Sequence, residues 1–367
     1  MHKFRNVLFA AGVACVWIGA LVYANAPQLL RDVWVAVSDA PFKDEGVYTI
    51  ENWIIPLDSP SASEGIVSEN GWLQVRDGKL LNQYGAPIQL KGMSSHGLAW
   101  YANYASKAAI LTTRGYGANL FRAAMYVDGD AVHYSSNAYD RKKSRAALCA
   151  VIDDTLALDM YAIADWHLLK DENPLVRVDA AVDFFGELSE KYAGEAGVIY
   201  EICNEPNGQT TWEDICEYAE NVIPAIRSHS PDAIIIVGTP EYSSSLAPAI
   251  ERPLPYDNVL YAYHYYSGLS TDSYVYTLDS AMAAQLPVFV SEWGVGGGEN
   301  PYNLEEQHAV HFLAYLSDHG IGWANWSLTN KDEPFSAIRA DCTKLDGWKE
   351  EDLSRSGQIV FDAFGAE

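Results

Sequence analysis

The chain has 367 residues, 49% hydrophobic and 20% charged, which is the balance of a globular protein with a large core and excludes a wholly disordered one. Asp and Glu outnumber Lys and Arg by 49 to 24, and the formal charge of −25 repels a phosphate backbone and excludes nucleic acid as a partner. The aromatic residues (11 Trp, 23 Tyr and 11 Phe) serve a core, or flat apolar platforms in a cleft.

At the N-terminus, Lys3 and Arg5 precede Val7–Ala26, an uncharged and mostly apolar run that ends in the small-x-small triplet Ala24-Asn25-Ala26. This pattern reads as a secretory signal cleaved after Ala26. About 20 apolar residues also suffice to cross a bilayer, so an uncleaved signal anchor is the alternative. The expected location is extracellular, either secreted or membrane-attached through Val7–Ala26. Residues 27–66 end in the linker-like Asp58-Ser-Pro-Ser-Ala-Ser-Glu64 and read as a spacer. Residues 67–364 read as one domain, expected to act as a monomer.

Leu73–Val75 and Leu80–Asn82 flank Arg76-Asp77-Gly78 and predict a hairpin. Eight short apolar runs follow: Ile88–Lys91, Asn119–Ala123, Tyr161–Asp165, Val198–Cys203, Ile234–Gly238, Val259–His264, Val288–Ser291 and Gly322–Trp326. Helical patterns separate most of them. Ile215, Tyr218, Ala219, Val222, Ile223 and Ile226 follow the i, i+3, i+4 spacing, with Thr210 or Thr211 as N-cap and Pro231 beyond the end. Val178, Ala181, Val182, Phe185 and Leu188 form a second such stripe, which stops near Gly194. Eight strand-then-helix units predict an α/β fold, a (β/α)8 TIM barrel with a small N-terminal β-hairpin. A doubly wound open sheet is the rival, but no glycine-rich phosphate loop follows the first strand.

Five cysteines contain no C-x-x-C pair, so neither a zinc site nor a disulfide framework is indicated. His308 and His311 share a helical face without completing a ligand set, and are expected at the surface or in packing. No metal and no cofactor are expected.

Polar residues collect where the predicted strands end: His96, Arg122 and Tyr126, Trp166-His167, Asn204-Glu205, His264-Tyr265-Tyr266, Ser291-Glu292 and Asn325-Trp326. One polar strand end alone is a helix cap or a satisfied core group. Seven of them meeting on the C-terminal face of a barrel point to an active site. Glu205 and Glu292 stand out, because a lone Glu there would be a loop charge or an ion pair, whereas two such carboxyls suit glycoside cleavage. One protonates the leaving oxygen and the other attacks the anomeric carbon, at the ~5–5.5 Å separation of a retaining enzyme.

The segments Leu90-Lys-Gly-Met-Ser-Ser-His-Gly-Leu98, Phe121-Arg-Ala-Ala-Met-Tyr126, Asp165-Trp-His167, Val198-Ile-Tyr-Glu-Ile-Cys-Asn-Glu-Pro-Asn-Gly208, Phe289-Val-Ser-Glu-Trp-Gly294 and Trp323-Ala-Asn-Trp-Ser-Leu-Thr-Asn-Lys-Asp-Glu333 resemble glycoside hydrolase family 5, and most of all its bacterial endo-β-1,4-glucanase branch. The resemblance covers about four-fifths of the chain. It implies a (β/α)8 barrel, a β-glucan polysaccharide as substrate, Glu205 as acid/base and Glu292 as nucleophile. Arg122 would hold Glu292 ionised, and Tyr266 would donate a hydrogen bond to it. Asn204 would bind the sugar 2-hydroxyl, and His264 would sit near Glu205. His96 and His167 would contact hydroxyls on the nonreducing side, with Trp100 and Tyr101 lining it, and Tyr126 would also bind substrate. Trp326 would stack on a sugar ring, following a cis peptide between Trp326 and Ser327. Lys331, Asp332 and Glu333 would offer further hydroxyl contacts.

Three departures concern loops. Tyr242 stands where close relatives would carry a Trp platform on the leaving-group side. The loop Ser267–Asp272 lacks an expected His-Gly pair, and Gly296-Gly-Gly-Glu299 is rich in glycine. They bear on leaving-side affinity and leave the carboxylates untouched. A β-mannanase or mixed-linkage glucanase on the same barrel is the nearest alternative. A noncatalytic carbohydrate-binding surface protein is the alternative outside enzymes, and retention of Glu205, Glu292, Arg122, Asn204, His264 and Tyr266 argues against it.

Overall fold

The computed structural model describes residues 67–129, 133–268, 273–297 and 304–365. Val7–Ala26 and Pro27–Gly65 lie outside these residues. The hairpin forms from β1 (Gln74–Arg76) and β2 (Lys79–Leu81). Asp77 and Gly78 have φ of 52° and 73°, the paired left-handed conformations of a tight hairpin turn, and Gly at the second position avoids a Cβ clash.

Eight strands close into an all-parallel barrel: β3 (Lys91–Ser95), β4 (Leu120–Tyr126), β5 (Tyr161–His167), β6 (Val198–Glu201), β7 (Ile235–Val237), β8 (Val259–Tyr266), β9 (Val288–Gly294) and β10 (Trp323–Leu328). They pair in chain order, with β10 returning to β3. Helices Lys107–Gly115, Ala138–Leu156, Val178–Lys191, Trp212–Arg227, Ser273–Ala283, Glu306–His319 and Arg355–Ala363 are among the connections. The helix Trp212–Arg227 buries all six of its predicted stripe residues. Its cap is Thr211, whose hydroxyl accepts from the Asp214 amide while Asp214 accepts from the Thr211 amide. In the helix Val178–Lys191, Phe184 takes the buried place expected of Val182.

The first barrel strand lies further along than its apolar run predicts. Ile88 and Leu90 join Leu73 and Leu80 in the cluster that includes Leu120, Tyr161, Ile163, Ile199, Ile236, Leu260 and Phe289. That cluster fills the lower barrel, with the hairpin beneath it. The Val75 amide donates to Asn258 just before β8, and the Tyr161 hydroxyl donates to the Gly71 carbonyl. The ladder of β3 then runs through small residues. Gly92 is required there, since a Cβ would lie 2.0 Å from the Leu120 carbonyl oxygen.

Strands β5, β8, β9 and β10 extend beyond their predicted ends to His167, Tyr266, Gly294 and Leu328. The predicted runs stop where apolarity stops. Among the polar residues that follow, His167 pairs with Asp165 of its own strand and the Tyr266 hydroxyl donates to Glu292 on the neighbouring strand.

Candidate active site

Side chains alternate along a strand, so the cluster that fills the barrel sets the phase of the residues above it. Leu120 points inward, and so do Arg122 and Tyr126 on β4. Tyr161 and Ile163 carry Asp165 and His167 on β5. Ile199 carries Glu201 on β6, and Leu260 and Ala262 carry His264 and Tyr266 on β8. On β9 the phase breaks: Phe289 pairs with Ala262, but Glu292 pairs with His264. One extra residue is accommodated, as in a β-bulge, so Phe289 and Glu292 face the same interior.

Arg122 is the hub of the site and is fully buried. Its Nε donates to Glu201 (2.6 Å), Nη1 to Glu292 (2.9 Å) and the Ser94 hydroxyl (3.3 Å), and Nη2 to Asn204 Oδ1 (2.6 Å), with Asp165 Oδ2 at 3.0 Å. Burial pulls its pKa down, but the Asp165, Glu201 and Glu292 carboxylates outweigh that and hold it well above the usual arginine range. The Tyr266 hydroxyl donates to the other Glu292 oxygen at 2.7 Å. Asn204 is buried, and its Nδ2 donates to the Leu168 carbonyl at 3.2 Å. Arg122→Ala leaves three buried carboxylates without their counter-charge. The expected cost is about 3–5 kcal/mol, read as a lower urea midpoint at an unchanged m-value.

Glu205 has different company. Its Oε1 pairs with His264 Nδ1 at 2.9 Å, and His264 Nε2 pairs with the Ser291 hydroxyl at 3.0 Å. Burial raises the Glu205 pKa to about 8, against the pull of Arg122, and the Asp165 and Glu201 charges add to the rise. Burial lowers His264 to about 4, so it is neutral at working pH. Glu205 is thereby held protonated near neutrality. If the proton on Glu205 is required, kcat/KM on a soluble substrate falls with the loss of one proton as pH rises through about 8. A profile still flat at pH 9 would contradict this.

The remaining predicted residues form two groups. Trp326 is only 5% exposed, with His167 parallel to it at 5.1 Å and His96 tilted at 5.0 Å. Tyr126 leans on His167 at 4.2 Å, Trp100 meets Tyr126 edge-on at 5.0 Å, and Tyr101 lies 4.9 Å from His96. His167 Nδ1 is tied to Asp165 at 2.7 Å. Lys331 Nζ lies 3.3 Å from His96 Nε2 and 2.5 Å from Glu333, while Asp332 between them is exposed. The peptide between Trp326 and Ser327 is cis. Tyr242 belongs to the other side. It is 53% exposed, and its amide donates to the Pro206 carbonyl just past Glu205. Glu241, Tyr242 and Ser243 all have φ of 56–59°, a costly run of left-handed residues that presents the ring at the rim. Of the other two departures, Ser267, Gly268, Gly296 and Gly297 are described, with the Ser267 hydroxyl donating to the Leu304 carbonyl and accepting from the Gly296 amide. Residues 269–272, Gly298 and Glu299 lie outside the described residues.

Three participants were not singled out from the sequence, Ser94, Asp165 and Glu201, and Ser291 was named there only as a polar strand end. Asp165 and Glu201 carry a readable signal, since each is an acid in phase with the inward apolar residues of its own strand. Glu205, His264 and Glu292 each offer a ligand atom within 4.8 Å of the others, enough to hold a divalent cation. In the structure those side chains are engaged with one another, with Tyr266 and with Arg122.

Two carboxyls at a barrel mouth, the buried Glu292 gripped by arginine and tyrosine and the partly buried Glu205 kept protonated, define a glycosidase-type site. The family model described as Cellulase (glycosyl hydrolase family 5) matches residues 81–332, and the chain belongs to this family. It is 41% identical over 298 residues to an endoglucanase of Clostridium saccharobutylicum, covering 80% of this chain and 65% of that one. Endoglucanase A of Butyrivibrio fibrisolvens is 40% identical over 296 residues, covering 79% and 68%. The chain thus spans about two thirds of the length of these relatives. Among solved structures, the catalytic domain of the Thermobifida fusca endoglucanase Cel5A superposes with a TM-score of 0.76 at 31% identity, covering 82% of this chain and 99% of that one. A variant of that domain was solved in complex with cellotetraose.

Proposed function

We propose that the protein is an endo-acting retaining glycoside hydrolase that cleaves internal β-1,4 bonds of cellulose-type glucans. The carrying observation is the separation of the two carboxyls. An oxygen of Glu205 and one of Glu292 lie within 4.8 Å, which accords with the ~5–5.5 Å carboxyl separation of a retaining enzyme and falls short of the ~6.5–9.5 Å of an inverting one.

Glu205 gives its proton to the glycosidic oxygen, the bond from that oxygen to the anomeric carbon breaks, and the Glu292 carboxylate attacks the carbon from the opposite face. The result is a glycosyl ester on Glu292 and a departed sugar chain. Glu205, now a carboxylate, takes a proton from water, whose oxygen displaces Glu292 and restores the β configuration. Arg122 and Tyr266 each donate to one oxygen of Glu292 and hold it in place. The second hydrogen of Asn204 Nδ2 meets the sugar 2-hydroxyl, a contact that strengthens as charge develops on the ring.

The names of the relatives and the cellotetraose complex favour a glucan. A net charge of −25 favours a neutral polymer. Exposed rings on both sides of the carboxylates, Trp100 and Tyr242, favour binding in mid-chain. Trp100→Ala removes a platform about 45% exposed and remote from the chemistry, so KM on cellotetraose should rise roughly 2–12-fold with kcat nearly unchanged. A kcat loss of that size at unchanged KM would contradict it. Reducing-sugar release from carboxymethyl-cellulose, barley mixed-linkage glucan and galactomannan tests the substrate. Fast cleavage of the first two is expected. Activity confined to galactomannan would keep the mechanism and replace the substrate. Export through Val7–Ala26, with the enzyme working as a monomer outside the cell, completes the proposal. N-terminal sequencing of the mature protein should begin at Pro27 if the segment is removed.

A further inference from the structure

We propose that Glu201, on β6 beneath the catalytic floor, is a positioning residue that couples the support of the nucleophile to the support of the acid/base. This inference rests on the function proposed above and adds a residue to it. Glu201 is fully buried and faces Asp165 across the β5–β6 ladder. Its Oε2 accepts from Arg122 Nε at 2.6 Å. Arginine has five N–H donors in a fixed plane. Here Glu201, Glu292, Ser94, Asn204 and Asp165 supply five acceptors, so the guanidinium has one orientation. Glu201 holds the Nε edge. Without it the head group can turn about its last bond, and Nη1 and Nη2 lose their aim at Glu292 and Asn204 together.

Among the described residues the other oxygen, Oε1, has no hydrogen-bond partner, and it lies 4.0 Å from His264 Nε2. His264 in turn contacts Glu205. Among the described residues, Glu201 thus stands between Arg122, which grips the nucleophile, and His264, which touches the acid/base. The charged and titratable groups around it are Arg122 from β4, Asp165 from β5, His264 from β8, and Cys203 and Glu205 from its own connection. A negative charge at Glu201 offsets part of Arg122 and helps Glu205 keep its proton to higher pH. Its removal moves the basic limb of the pH profile toward acid.

The test uses the full chain with Glu201→Gln and Glu201→Asp. Readouts are kcat and KM on cellotetraose, kcat/KM against pH, and the melting temperature. Glu201→Gln keeps the size and an acceptor for Arg122 but removes the charge. It should lower kcat at least about 10-fold and move the basic limb acidward by roughly one pH unit. Glu201→Asp keeps the charge but shortens the reach, so a basic limb near the wild type should accompany a low kcat. An unmoved basic limb in a folded Glu201→Gln variant, with or without a lower rate, would overturn the proposal and leave Glu201 a structural ion pair. If Glu201→Gln does not fold, wild-type kcat in Glu201→Asp would overturn it. A wild-type protein inactive on every glucan and mannan would instead overturn the functional reading beneath it.

Discussion

Glu292→Gln removes turnover while leaving the substrate site in place. The amide cannot attack the anomeric carbon, yet it has the size of the carboxylate and can still accept from Tyr266, which donates at 2.7 Å in the wild type. Arg122 keeps its bonds to Glu201 and Asn204, so the floor of the site is retained. Loss of an acting nucleophile costs at least about 10⁴-fold in kcat, or roughly 5.5 kcal/mol of transition-state stabilisation. Calorimetric binding of cellotetraose should survive. Retained binding with lost turnover separates chemistry from folding. Wild-type rates in this variant would remove Glu292 from the mechanism.

Glu205→Ala should discriminate between substrates. On cellulose-type glucans the leaving group is an alcohol that must be protonated, and loss of the general acid costs on the order of 10²–10⁴-fold. On an aryl cellobioside with a strongly acidic leaving phenol, protonation is unnecessary, so kcat/KM is largely spared. The second step still lacks its base, so the glycosyl-enzyme accumulates and kcat stays low. Azide needs no base to attack, and its addition should restore kcat and yield the β-glycosyl azide. Equal losses on both substrates, with no azide effect, would contradict an acid role for Glu205. The pairing of Glu205 with His264, and burial that raises it to about 8, are the physical grounds for expecting this split.

Much of this arrangement was legible in the residues. The alternation of apolar runs with helical stripes yields the eight-stranded barrel, and the polar strand ends yield Glu205 and Glu292. Strand positions were less legible where burial and apolarity part company. Ile88 and Leu90 look like a strand because they are apolar, but they cap the lower core, while the true strand runs through Gly92, Ser94 and Ser95. Asp165 and Glu201 escaped notice because a buried acid is read as an error in an apolar run unless its partner is known. Arg122 is that partner, and it is distant in sequence from both. The phase of β9 was not legible at all, since a bulge that turns Glu292 inward leaves no mark in the pattern of apolar residues. The exposure of rings was equally hidden. Trp326 is covered by His167 and His96, while Trp100 and Tyr242 are the ones left open.

The central claim is that Glu292 forms a covalent bond to the sugar. A 2-deoxy-2-fluoro-cellobioside with an activated leaving group tests it most directly, because the fluorine slows the second step and lets the intermediate accumulate. The account predicts a stoichiometric mass increase of one fluorocellobiosyl group, located by peptide mass spectrometry on the segment Phe289-Val-Ser-Glu-Trp-Gly294 and on Glu292 within it. A label on any other residue, or no label while the enzyme cleaves its ordinary substrate, would contradict the double-displacement account.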